Sequence, residues 1–287
     1  MTYGFTEIDH LLTAAIEPQS AGEQYERLGF TVTPLSVIEN LGVGNRLVLL
    51  RPLSPGTANF FECMGVVNRS CVPPMMASLL SGPPGVRSIV LSGPDARTSQ
   101  AALARDGYPI AAPLDLKREW VLPDGEILTP SFLVTLPSQT PLPFNFCQYR
   151  TLHYYLRETW LVHSNSARHL RGVLAISDEP AELARYFEPI FASRASIQNG
   201  IYELGPGKVR LRIGDRAAMS GLVPQEWLPQ HISGAHYFGF EIEVDSLSTV
   251  RALLAERCIG FKEHGGAIVV GPMHACGSAL RFRHGPS

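Results

Sequence analysis

His10 and Glu62 are the two side chains best placed to do chemistry together. His10 sits in the run Ile8-Asp9-His10-Leu11-Leu12, and Glu62 in Asn59-Phe60-Phe61-Glu62-Cys63. Both stretches read as strands. In a sheet that curls, the two strands can lie side by side and face one hollow. An imidazole and a carboxylate sharing a hollow can serve as general acid and base. A carboxylate between aromatic and sulfur-bearing neighbours is costly unless something pairs with it. The structural alternative is a salt bridge from Arg46 or Arg51. For His10 the alternative is a hydrogen-bonded strand histidine.

The elements that would position these residues recur along the chain. The first unit is a strand around His10, a helix closing on Leu28-Gly29-Phe30, a strand at Gly44–Leu50 and the strand carrying Glu62. A connector rich in Pro, Gly and Ser runs from Pro73 to Gly85. The second unit opens at Val86–Leu91, has a helix from Ala96 to Asp106 stopping at Gly107, and ends with strands at Phe132–Leu136 and Phe144–Tyr149. Between them, Lys117–Leu128 reads as two strands around a Pro-Asp-Gly turn, where Trp120 and Arg118 could wall a pocket. The third unit opens at Gly172–Ile176 with a helix capped by Asp178. The fourth opens at Tyr237–Val244, and its helix ends at Ile259-Gly260-Phe261, an echo of the first. Each unit is strand, helix and three strands, and one such sheet is too small to stand alone, so the units should pair. The fold expected is α+β: four tandem βαβββ modules pairing into curled mixed sheets, with helices outside and a concave cavity. The expected division is an N-terminal pair over 1–150, a linker over 151–171 and a C-terminal pair over 172–287.

Composition narrows the function. The 287 residues carry 24 basic and 26 acidic side chains, a net charge of -2. That balance gives no electrostatic footprint for nucleic acid or an anionic membrane. No apolar run reaches the ~20 residues that span a bilayer, and the N-terminal residues lack a secretory pattern. Five scattered cysteines without CxxC pairs suit a reducing cytoplasm. There is no GxGxxG after a strand, so no nucleotide cofactor is expected. There is no GxSxG elbow and no Walker loop. A small-molecule substrate is the expected partner.

Asp9-His10-Leu11, Leu28-Gly29-Phe30, Gly42-Val43-Gly44-Asn45 and Phe61-Glu62, with Phe146-Cys147-Gln148 and His163-Ser164-Asn165-Ser166-Ala167, together resemble the vicinal oxygen chelate superfamily. Its members include glyoxalases, bleomycin-resistance proteins and extradiol dioxygenases, and the glyoxalase-like domain proteins are the group most similar. The resemblance implies a divalent metal, Zn, Fe, Mn or Ni, acting as Lewis acid on a small oxygen-rich molecule in a lyase, isomerase or dioxygenase type of reaction. The implied metal ligands are His10 and Glu62, with Gln148 completing the shell, and Tyr149 is the implied hydrogen-bond donor or acid. Ser88 stands where a histidine or glutamine would be wanted. In the C-terminal half the corresponding positions hold Gly172, Gly239 and Arg281, which implies no metal there; Arg281 either holds an anion or is a surface charge. Superfamily members often associate, so a homodimer is compatible. The alternative reading is a metal-free small-molecule-binding protein of the same fold, or an acid–base enzyme using His10 and Glu62 directly.

Overall fold

The computed structural model describes residues 3–230 and 233–285. The first module is β1 (Glu7–Ala14), α1 (Pro18–Arg27), β2 (Ser36–Ile38), β3 (Val43–Leu49) and β4 (Phe60–Val66). Pro18 opens α1, where its missing N–H costs nothing. Gly29 ends the helical turn at φ +88°, and a Cβ there would sit 2.7 Å from Leu253 Cδ1, so only glycine fits. The connector holds a short helix, α2 (Pro74–Leu79). The second module is β5 (Gly85–Ser92), α3 (Ala96–Arg105), β6 (Leu114–Lys117), a small ribbon of β7 (Trp120–Val121) and β8 (Ile127–Leu128), then β9 (Ser131–Thr135) and β10 (Phe144–Tyr149).

Two short 3-10 turns lead to the C-terminal half. The third module is β11 (Ala167–Ser177), α4 (Pro180–Phe191), β12 (Ser196–Gln198), β13 (Ile201–Leu204) and β14 (Arg210–Gly214), followed by the one-turn α5 (Arg216–Met219). The fourth is β15 (Ala235–Val244), α6 (Leu247–Glu256), β16 (Phe261–His264), β17 (Ala267–Val270) and β18 (Ala279–His284). Among the described residues no helix is long and apolar enough to cross a membrane.

Each half builds one eight-stranded mixed sheet. The orders are β2-β3-β4-β1-β5-β10-β9-β6 and β12-β13-β14-β11-β15-β18-β17-β16. The opening strands of paired modules join antiparallel, β1 with β5 and β11 with β15, while each opening strand runs parallel to its module's last strand. Modules therefore pair edge to edge, as the repeat predicts. Ile8, Leu11 and Phe61 point to the helix-bearing face, where they share one core with Tyr25 of α1 and with Phe187, Phe240 and Phe282 of the other half. Phe61 and Phe240 lie 4.9 Å apart between ring centres. Asn59 clips the halves further: its Nδ2 donates to Leu170 O at 3.2 Å and its Oδ1 accepts from Leu170 N at 2.7 Å. The opposite faces are left concave.

Three local expectations need correction. β11 begins at Ala167, inside the stretch expected as linker, because Asn165 and Ser166 already tie the chain to both halves. The cap of α4 is Glu179 without a side-chain bond; Ser177 Oγ, not Asp178, accepts from Glu179 N at 3.1 Å. In module four the left-handed residue after the helix is Cys258, at φ 53°, so Gly260 does not reproduce the role of Gly29.

Candidate functional site

The concave face of the N-terminal sheet holds a cavity of about 110 Å³, lined by both His10 and Glu62. Register explains why. His10 lies opposite Phe60 and Leu12 opposite Glu62 in the parallel β1–β4 pair. Side chains two residues apart share a face, so His10 and Glu62 point the same way. Strand spacing puts their Cα atoms roughly 8 Å apart.

His10 is held on three sides. Its ring stacks on Phe60 with centres 4.0 Å apart and planes at 10°. Its Nδ1 meets Asp9 Oδ1 in a short contact and lies 3.1 Å from the Tyr149 hydroxyl. Asp9 should point to the other face, but the β1–β5 register shifts between Ile8 and His10. Asp9 occupies that bulge, which turns its carboxylate onto the imidazole of its neighbour. A carboxylate at Nδ1 assigns the proton to that nitrogen. Nε2 has no partner among the described residues and is left as the basic nitrogen. Asp9 is fully buried; burial raises its pKa, and the adjacent His10 partly offsets that rise. Burial, with Asp9 next, also pushes the Tyr149 hydroxyl well above its ordinary value, so it acts as a donor.

Glu62 joins a different chain of bonds. Asn45 Nδ2 donates to Glu62 Oε2 at 2.6 Å, and Asn45 Oδ1 accepts from Ser36 Oγ and from Arg118 Nη1, both at 2.9 Å. Arg118 Nη2 donates to the Tyr155 hydroxyl at 2.8 Å. Among the described residues no arginine pairs with Glu62: Arg46 bonds Glu26 at 2.5 Å and Arg51 bonds Glu158 at 2.7 Å. The salt-bridge alternative therefore fails. Arg118 is 5% exposed, has no carboxylate within 4 Å among the described residues, and sits 5.0 Å from the Trp120 ring, 5.6 Å from Phe132 and 5.5 Å from Tyr155. Aromatic faces offset part of the cost of burying that cation.

The rest of the wall is mostly hydrocarbon. Leu12, Leu41, Met64, Leu116 and Phe132 line the cavity, and α2 contributes Met75 and Met76. The connector is thus part of the site. Methionines in a plain Pro/Ser/Gly stretch gave no periodic signal to reveal this. Arg118, between β6 and β7, is already legible in the sequence as a possible pocket wall; Tyr155 was hidden, since it sits in a short 3-10 turn, Leu152–Leu156, far from His10 in sequence.

Gln148 is elsewhere. Its Oε1 accepts from Ala96 N at 3.0 Å and its Nε2 donates to Pro94 O at 2.7 Å, so it anchors the start of α3. On β10 the alternate residues Asn145, Cys147 and Tyr149 face the cavity, which turns Gln148 away.

The donors present do not make a metal centre. Catalytic metals take three or more protein ligands, and no group of three His, Cys, Asp or Glu side chains converges among the described residues. Ser88 is committed to Asn145 Oδ1 at 2.7 Å. Burial raises the Cys147 thiol and keeps it protonated. The Arg118 cation occupies the same wall.

His163 and Asn165 serve the fold. Nδ1 of His163 accepts from Thr31 N at 3.0 Å and Nε2 donates to Leu49 O at 2.9 Å; Asn165 Nδ2 donates to Leu28 O at 2.9 Å. Trp120 is fully buried core.

A family model described as glyoxalase-like domain matches residues 8–191. The chain belongs to this family. Its fold matches the crystal structure of a hypothetical protein from Staphylococcus aureus with a TM-score of 0.68 at 11% identity, covering 96% of this chain and 98% of that one. A mutant of 4-hydroxymandelate synthase from Streptomyces coelicolor matches with a TM-score of 0.55 at 10% identity, covering 99% of this chain and 94% of that one. A search of curated proteins returned no match. At such identities the glyoxalase-like protein shares the fold of these neighbours, and the fold does not carry a reaction with it.

Proposed function

We propose that the N-terminal cavity binds a small organic molecule with an apolar body and an oxygen-bearing head, and that His10 and Glu62 move protons on that head directly. The observation that carries this reading is the placement of an oriented imidazole and a carboxylate on one cavity face whose other walls are mostly hydrocarbon. The apolar walls suit the body of the ligand. The head fits among His10, Glu62 and Arg118. His10 Nε2 accepts a proton from the carbon beside a carbonyl group. The C–H electron pair moves onto the carbonyl oxygen, and Arg118 offers positive charge to it. Tyr149 and Asp9 hold the ring while the proton is carried.

A thermal-shift panel of short-chain 2-oxo acids and other small carbonyl compounds tests binding. Deuterium uptake from solvent at the carbon beside the carbonyl, read by NMR, tests the chemistry. The expected result is a stabilising compound that exchanges with wild type and not with His10→Asn, while still binding that variant. A panel with no stabilising member, or exchange unchanged in both His10→Asn and Glu62→Gln, overturns the proposal.

A further inference from the structure

The concave face of the C-terminal sheet carries a second cavity whose chemistry is the inverse of the first. It measures about 470 Å³, and charged side chains make its floor. Arg212 on β14, Glu241 on β15 and Arg281 on β18 meet there. Glu241 has no exposed surface. Its Oε1 accepts from Arg281 Nη1 at 2.5 Å, its Oε2 lies against Arg212 Nη1, and Arg283 Nη1 stands 4.0 Å away. Gly172 makes room for this cluster in the middle of β11: a Cβ there would lie 2.7 Å from Glu241 Oε2.

The charges in this cluster do not balance. Glu203 and Glu241 are the carboxylates facing Arg210, Arg212, Arg281 and Arg283. The next carboxylate on β15, Glu243, bonds Arg171 at 2.8 Å and lies 3.9 Å from His169. Arg281 is 3% exposed, so it is no surface charge, yet among the described residues its Nε–H has no acceptor. A buried donor without a partner costs free energy that a bound acceptor would recover. Burial first, then repulsion from Arg212 and Arg283, pulls the Arg281 pKa down to about 10, which leaves it protonated at neutral pH. Surplus guanidinium groups beside open space are what a planar oxyanion binds best.

We propose that this face is a second ligand site, which takes the carboxylate or phosphate group of a small hydrophilic molecule on Arg281, Arg283 and Arg212. Gln198 and Asn199 line the same cavity and suit hydroxyl groups on the remainder of that molecule. The N-terminal cavity takes an apolar body, so the two halves serve different molecules.

Isothermal titration of the full chain with inorganic phosphate, and separately with succinate, at matched ionic strength against sodium chloride, tests the site. Saturable binding of either anion is expected. A preference for phosphate or for succinate names the source of the oxyanion. Binding should weaken roughly tenfold in Arg283→Gln, as expected for loss of one charged hydrogen bond, and vanish in Arg281→Gln. It should persist in His10→Asn, which keeps the outcome separate from the N-terminal proposal. Arg283 lies at the rim, so its substitution reads the site even if Arg281→Gln fails to fold. No saturable binding of either anion, or affinities unchanged in Arg283→Gln, would overturn the proposal.

Discussion

Asp9 and His10 are adjacent in a strand, yet the Asp9 carboxylate reaches the Nδ1 of His10 on the same side of the sheet. A regular strand forbids this, because neighbouring side chains alternate. The bulge between Ile8 and His10 permits it. The imidazole is thereby fixed in ring plane and tautomer before any ligand arrives.

Asp9 should leave a mark on stability. Its folded pKa is raised by burial. A raised carboxyl contributes stability that is present below its unfolded pKa of about 3.9 and lost as pH rises through the folded value. Asp9→Asn, neutral throughout, should gain on wild type over that window. Urea unfolding of both proteins from pH 4 upward reads the difference; parallel curves would show that Asp9 does not titrate as described.

His163 acts at the other end. Burial lowers its pKa to about 4 from 6.5. A depressed histidine contributes stability present above its unfolded pKa and lost as pH falls through the folded one. At 1.36 kcal/mol per pH unit this is about 3 kcal/mol between pH 6.5 and 4. His163→Asn should remove that dependence from the unfolding profile, at the cost of its bonds to Thr31 and Leu49.

Asn45 links Ser36, Glu62 and Arg118. Asn45→Ala leaves a buried carboxylate and a buried guanidinium each short of a partner. The expected loss is roughly 2–3 kcal/mol by denaturant unfolding. A loss below about 0.5 kcal/mol, the range of ordinary surface changes, would mean that the chain of bonds does not hold in solution.

Divalent ions should have no His10-dependent effect. Zn, Mn, Ni or Fe(II) added alone should shift the melting temperature of wild type and of His10→Asn equally. A stabilisation found in wild type and abolished by both His10→Asn and Glu62→Gln would restore a metal to this site.

Much of the scaffold was legible in the residues. The order of strand, helix and three strands follows from periodicity and from stops such as Gly29 and Gly107, which are local properties of the chain. The shared face of His10 and Glu62 was also accessible, since alternation along two paired strands fixes it once the pairing is given. Gln148 was misplaced because the face a strand residue takes depends on register, and one position reverses it. Arg118 was legible as a pocket wall but its link to Glu62 through Asn45 was not; Tyr155 and the methionines of α2 carried no signal, because only folding brings these distant segments over the same hollow.

Local patterning along the chain established the repeat, the pairing of modules and the imidazole and carboxylate of the first one, because helix and strand periodicity act over a few residues. Only folding settled the bulge at Asp9, the Asn45 bridge between Glu62 and Arg118, and the contrast between an apolar hollow in one half and an arginine-floored hollow in the other. Those features depend on which side chains meet across strands far apart in the chain, and burial then fixes the charge and partners each one keeps.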